Sequence, residues 1–81
     1  MKKINFYMVL SKIVLNEKMT MKDYIALQVI SDNHFIAYLD SDLTISLVFE
    51  IGIERIEIVG KMKTNKIIVD NVYRKLKKKR V

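Results

Sequence analysis

Hydrophobic and polar residues alternate along much of the chain after residue 23, and this pattern predicts β-strands. The clearest case is residues 43–50, where every second position carries a large hydrophobic side chain and the intervening positions include Thr44 and Ser46. Successive side chains of a strand point to opposite faces, so this alternation is typical of a strand with one buried face. We expect Thr44 and Ser46 to lie on a face that is open to water.

Four further segments are predicted to be strands: residues 24–31, 35–39, 53–60 and 66–73. They are rich in β-branched and aromatic residues, and short polar segments that favour turns separate them. Gly60 at the end of one strand indicates a bulge or a sharp bend. The predicted core residues are Leu27, Val29, Leu43, Ile45, Leu47, Ile56, Ile58 and Val69.

The N-terminal segment has no single hydrophobic period. Ile4, Met8 and Leu15 fit the faces of a helix, whereas Phe6, Met8 and Leu10 alternate as they would in a strand. We therefore predict a helical or mixed element that packs on the domain and ends before the polar residues 16–18.

Length and composition predict one small domain. The chain has 81 residues, of which 51% are hydrophobic, and we assign residues 1–76 to the domain and residues 77–81 to a basic tail. The absence of Cys and the presence of one His predict no disulfide, no metal site and no cofactor, and favour a cytoplasmic location. No hydrophobic run approaches the ~18 residues of a membrane span, so we expect no membrane partner.

The charge of +6 is unevenly distributed along the chain. Residues 1–22 carry +4, residues 23–60 carry −6, and residues 61–81 carry +8. A strongly basic segment that begins inside the folded domain favours a surface that faces a polyanion, and nucleic acid is the commonest one. For residues 77–80 alone, a solvated tail is the simpler interpretation.

The arrangement of strands resembles the OB-fold superfamily, whose members are five-stranded antiparallel barrels. "IERIEIVGKMKTNKIIVDNVYRKL", residues 53–76, is similar to the last hairpin of replication protein A-like and anticodon-binding OB domains. The preceding "SKIVLNEKMTMKDYIALQVIS", residues 11–31, is similar to the lead into their first strand. One departure is that residues 50–52 are too few for the helix that often follows the third strand. SH3-like and Sm-like barrels are the alternative folds.

The resemblance implies a site for single strands on the second and third strands and the flanking turns. Phe35 and Tyr38 are three residues apart, so alternation predicts that Phe35 points inward and Tyr38 outward. Lysines supply cations for phosphates, and Tyr38 supplies a ring that stacks on a base. The predicted site residues are Tyr38, Thr44, Ser46, Lys61, Lys63, Lys66, Arg74 and Lys75.

The sequence therefore predicts a mainly β protein that binds single-stranded DNA or RNA. An alternative function is an OB-like interaction subunit that docks a larger protein in a replication or nucleic-acid-processing complex. We expect no enzymatic activity, because the chain has no Ser–His–Asp-like set, no phosphate loop and no metal cluster. Asp40 and Asp42 are assigned to a turn, since an Asp-x-Asp pair lacks the further ligands of a cation site.

Overall fold

The computed structural model describes residues 5–40 and 42–77 as a two-layer structure, in which two helices pack on one face of a five-stranded sheet. Residues 1–4, 41 and 78–81 lie outside the described residues, so apart from Lys77 the prediction of a solvated tail at residues 77–80 falls on a part of the chain that the structure does not describe. The elements are α1 (Phe6–Asn16), β1 (Lys18–Thr20), α2 (Met21–Ile30), β2 (Asn33–Leu39), β3 (Thr44–Ile51), β4 (Glu54–Met62) and β5 (Lys66–Leu76).

The sheet is antiparallel and open. Its strand order is β1-β5-β4-β3-β2, so that β1 and β2 form its two edges. The prediction of a mainly β protein is confirmed, whereas closure into a barrel is not, because the sheet is not closed between β1 and β2. We call the face that carries the helices the covered face and the opposite face the open face.

The N-terminal element is a helix, in agreement with one of the two predicted alternatives. The Asn5 side chain caps α1 by accepting hydrogen bonds from the backbone N–H groups of Tyr7 and Met8. Phe6, Leu10 and Ile13 are buried, and their spacing of four and three residues places them on one side of the helix.

The prediction of a strand at residues 24–31 is wrong, because these residues form most of α2. Thr20 and Asp23 make a capping box: the Thr20 hydroxyl accepts from the Asp23 N–H, and the Asp23 carboxylate accepts from the Thr20 N–H. The helix also explains why the prediction that Val29 lies in the core is wrong. A strand would place it on the same face as Leu27, but in α2 Leu27 is buried and Val29 is 70% exposed.

The other four predicted strands are present, with bounds that differ by a few residues, and β1 is a strand that the sequence did not predict. Leu43 was expected in the core but precedes β3. It lies in the β2–β3 turn at a φ of 62°, with its N–H bonded to the Asp40 carbonyl, and its side chain is exposed. The Asp40 carboxylate accepts hydrogen bonds from the backbone of Asp42 and Thr44, as expected for a turn residue.

Gly60 lies at a bulge between β4 and β5, as predicted. The register of the two strands shifts between Val59 and Gly60. A Cβ atom at Gly60 would overlap the carbonyl oxygen of Ile68 and lie 2.9 Å from a methyl carbon of Ile67. Only glycine therefore allows the two backbones to approach this closely.

The core fills the space between the helices and the covered face. Six of the eight predicted core residues are buried there: Leu27, Ile45, Leu47, Ile56, Ile58 and Val69. Phe6, Leu10, Ile13, Met19 and Phe49 complete the cluster.

Candidate nucleic-acid interface

The open face is a grid of side chains that strand pairing aligns into rows. Residues that pair across neighbouring strands lie on the same face, with Cβ atoms about 5 Å apart. From β2 towards β5 or β1, the rows are Asn33–Glu50–Arg55–Lys75, Phe35–Val48–Glu57–Tyr73, Tyr38–Ser46–Val59–Asn71 and Thr44–Lys61–Ile68–Lys18.

Three aromatic residues lie on this face. Phe35 and Tyr73 are at the two ends of one row, and Tyr38 begins the next. Their exposed fractions are 37% for Phe35, 56% for Tyr38 and 48% for Tyr73. All three rings thus present surface on which a base can stack.

The prediction that Phe35 and Tyr38 point to opposite faces is wrong. The register of β2 against β3 shifts between Ile36 and Tyr38, so Ala37 is an extra residue in β2. Such a bulge offsets the alternation by one position. Phe35 pairs with Val48 and Tyr38 with Ser46, which places both aromatic rings on the open face.

Lysines surround the aromatic residues. Lys61 lies beside Thr44, with 3.5 Å between the lysine Nζ and the threonine Oγ1. Lys75 ends another row, and alternation along β5 places Lys66 on the open face as well. Lys63 lies in the β4–β5 turn, where its N–H bonds to the Lys66 carbonyl. None of these lysines forms a salt bridge with a carboxylate of the described residues.

The centre of the open face is buried, contrary to the expectation for Ser46. Ser46 is 4% exposed and Val48 is 2% exposed. The Ser46 hydroxyl donates a hydrogen bond to the Glu57 carboxylate, which lies on the neighbouring strand. Ser46 therefore orients Glu57 and offers little surface to a ligand, whereas Thr44 is half-buried and more accessible.

Arg74 lies on the covered face, separated from the other predicted cations. Its guanidinium contacts the Glu54 carboxylate at 2.6 Å and lies 5.2 Å from the centre of the Tyr7 ring. Tyr7 also donates a hydrogen bond to Glu54. Hydrogen bonds from Tyr7 and Arg74 lower the pKa of Glu54, and the hydrogen bond to Glu54 raises the pKa of Tyr7. Arg74 thus joins α1 to the sheet.

Two acidic groups near the aromatic rings are engaged within the protein. Glu50 lies 4.0 Å from the Arg55 guanidinium, which also stands 5.4 Å from the centre of the Phe35 ring. Asp40 accepts a hydrogen bond from the Tyr38 hydroxyl, and the negative charge of Asp40 raises the pKa of that phenol.

Sequence reasoning did not include Tyr73 or Lys18 among the site residues. Strict alternation from Lys66 would place Tyr73 on the opposite face of the sheet. The bulge near Asp70 shifts the alternation by one position and brings Tyr73 to the open face. Lys18 was missed because β1 has only three residues and no recognisable strand pattern.

Comparisons with protein-family models, with curated proteins and with solved structures found no match. In residues 5–40 and 42–77, no three His, Cys, Asp or Glu side chains are close enough to hold a metal ion. Neither helix in this part of the chain has the length and hydrophobicity that a membrane crossing requires.

Proposed function

We propose that the chain is a non-catalytic nucleic-acid-binding module that binds single-stranded DNA or RNA on the open face. One observation carries the proposal: exposed aromatic rings share one face of the sheet with lysines that form no salt bridge to any described carboxylate. Single strands expose both phosphates and base faces, so they match both kinds of group.

The positions of the aromatic rings and the lysines allow one nucleic-acid strand to contact both. Phe35 and Tyr73 are on strands three positions apart, which corresponds to about 14 Å across the sheet. A single-stranded nucleic acid that crosses the sheet in this direction contacts Phe35 at one side and Tyr73 at the other. Lys61 and Lys75 lie in rows on either side of these rings, where they face phosphates of the same strand.

The proposal rests on this face and not on the resemblance to the OB fold. That resemblance takes residues 24–31 as the first strand of a barrel, but residues 21–30 are helical and the sheet is open. An open sheet presents its face directly to a ligand, so nucleic-acid binding does not require a barrel.

A second candidate function is an interaction subunit that docks a larger protein in a nucleic-acid-processing complex. It is favoured by the outer surface of α1, where Met8 is 71% exposed and Leu15 is 82% exposed. Exposed hydrophobic residues on a helix surface are a common feature of protein–protein contacts.

The test is fluorescence anisotropy with labelled single-stranded DNA and RNA at low salt. We expect binding tighter than ~100 μM, the weak end of ordinary non-specific affinity. Tyr38→Ala and Tyr73→Ala should each weaken binding by ~1–3 kcal/mol if the rings stack on bases.

Tyr7→Ala is the matched control, because Tyr7 is 49% exposed but belongs to α1 on the covered side. It should leave the affinity unchanged in samples whose thermal unfolding shows that they are folded. Affinity weaker than ~100 μM for both nucleic acids would contradict the proposal and favour the interaction subunit.

A further inference from the structure

The two edges of the sheet differ in how well they are protected. The β1 edge has three residues, two of them polar or charged. The β2 edge has seven residues, Asn33–Leu39, and every one of them is exposed. In the described part of the chain, β2 pairs with β3 alone, so one side of its backbone has no partner strand.

The β2 edge carries only one of the features that usually keep sheet edges apart, a bulge at Ala37. Natural edges are commonly short or carry charged residues or Pro, which prevent pairing with another chain. The sequence NHFIAYL contains no Asp, Glu, Lys, Arg or Pro, and a single bulge at Ala37 interrupts its regularity. Phe35, Ile36, Tyr38 and Leu39 are 37%, 53%, 56% and 57% exposed.

Helix α2 adds a hydrophobic stripe next to this edge. The Gln28 amide lies 3.1 Å from the His34 ring, so the side of α2 that carries Gln28 faces β2. Met21 and Ile25 lie on that side, at seven and three residues before Gln28, and are 58% and 51% exposed. Met21 and Ile36 also line one cavity of about 180 Å³ between α2 and the sheet. Edge and stripe therefore form one continuous surface.

We propose that this surface binds a second copy of the chain, with β2 pairing antiparallel to β2 of the other copy about a two-fold axis. Such an interface must be self-complementary, since each residue meets the same surface on the partner. A strand without charged residues satisfies this condition, because antiparallel self-pairing opposes no like charges between Asn33 and Leu39.

The flanking carboxylates Asp32 and Asp40 lie outside the pairing strand, and each is held by hydrogen bonds within its own copy. Asp32 accepts from the Gly52 N–H at 2.8 Å, and Asp40 accepts from the backbone of the β2–β3 turn. The dimer joins the two sheets into one of ten strands and brings the two α2 stripes together. It also aligns the two open faces, although the pairing itself does not depend on nucleic-acid binding.

The first test is sedimentation equilibrium of the full chain without nucleic acid, at concentrations up to ~100 μM, where weak interfaces still associate. We expect a mass of twice 9.6 kDa for the unmodified chain. Ile36→Lys should give the monomer mass, because it places like charges near the two-fold axis. Leu15→Lys, on the exposed side of α1, is the matched control and should remain a dimer. A monomeric unmodified chain, a species larger than a dimer, or a dimeric Ile36→Lys variant would overturn the proposal.

The second test uses cross-linking and does not depend on the folding of Ile36→Lys. Because the chain contains no Cys, a single introduced Cys reports on one position. Disulfides form between residues whose Cα atoms are about 4.4–6.8 Å apart, so oxidation should cross-link Ile36→Cys, the position near the two-fold axis, or one of its neighbours Phe35→Cys and Ala37→Cys. Lys18→Cys at the β1 edge should not cross-link. Cross-linking through Lys18→Cys alone, or through none of the β2 positions, would contradict β2 pairing.

Discussion

The covered and open faces of the sheet are formed by the same strands, but they differ in chemistry and in burial. On the covered face Ile45, Leu47, Phe49, Ile56 and Ile58 are at most 3% exposed. On the open face, neighbouring positions of the same strands hold Thr44, Lys61, Tyr73 and Lys75. The covered face thus provides the stability of the fold, and this leaves the open face free to carry binding groups.

The two faces also differ in how their charges are satisfied. On the covered side, Arg74 is bonded to Glu54, and Lys12 of α1 lies 3.2 Å from the buried Asp23 of α2. The lysines of the open face have no such partners among the described carboxylates. Charges on the covered side therefore join elements to one another, whereas the lysines of the open face remain available to a ligand.

The largest expected effect is a difference between the two faces in how much a substitution lowers the free energy of unfolding. Ile45→Ala removes a side chain that is 1% exposed and should lower the free energy of unfolding by about 2–5 kcal/mol. Ile68→Ala, at an open-face position that is 36% exposed, should cost about 1 kcal/mol or less. Urea unfolding measures both. Equal losses would mean that the open face is packed as tightly as the covered face.

The contact between β4 and β5 should be the next most sensitive position. Gly60→Ala places a methyl group against the Ile68 carbonyl, and the strands must separate to accommodate it. We expect a loss of about 1–3 kcal/mol in the free energy of unfolding. Gly52→Asn is the comparison: Gly52 has a φ of 56°, none of the described residues has an atom within 4 Å of its Cβ position, and Asn tolerates this φ. A Gly60→Ala variant as stable as the original chain would contradict the close approach.

A smaller effect should appear in the pH dependence of stability. Burial raises the pKa of Asp23, but hydrogen bonds from Thr20, together with the hydrogen bond and charge of Lys12, outweigh it and lower this pKa overall. The ionised carboxylate therefore contributes its full stabilisation above the ordinary Asp value of about 4, and this is lost as the pH falls through the lowered pKa.

Asp23→Asn should consequently be less stable than the original chain at pH 7, and the difference should shrink as the pH falls below about 4. Urea unfolding at a series of pH values measures this. Lys22→Ala, on the exposed side of α2, is the control and should leave the loss of stability below pH 4 unchanged. A difference that is constant from pH 7 to pH 2 would contradict the role of the charge.

The sequence predicts the fold correctly where hydrophobic residues alternate along a strand and the alternating residues are buried in the structure. Ile45, Leu47, Ile56 and Ile58 have period-two spacing and are buried on the covered face. Helix α2 was not predicted, because the β-branched and aromatic residues of residues 24–30 favour a strand locally. Packing of Leu27 on the core and the capping box at Thr20 override that preference.

The candidate site was predictable in part. Lys61 and Lys75 lie on the open face with Tyr38, but the bulge at Ala37 also turns Phe35 to that face. A bulge is not visible in a pattern of hydrophobic residues, since it depends on how two strands pair. Arg74 was expected beside Lys75, yet adjacent residues of a strand point to opposite faces, and Glu54 and Tyr7 hold Arg74 on the covered side.

Arg74 and Lys75 are adjacent but lie on opposite faces of the sheet, so substituting each in turn compares how much the two faces contribute to nucleic-acid binding. Lys75→Ala should flatten the slope of log affinity against log salt by about 0.7, the value for one phosphate of a single strand. Arg74→Ala removes the same charge from the covered face and should leave the slope nearly unchanged. Its folding is checked separately by thermal unfolding, because the Glu54 contact is lost.

The most direct test of the account is this salt dependence for the variant Lys61→Ala/Lys66→Ala/Lys75→Ala, measured by anisotropy with single-stranded DNA and RNA. If all three lysines contact phosphates on the open face, the slope should flatten by about two units relative to the original chain. A folded triple variant whose slope equals that of the original chain would contradict binding on this face.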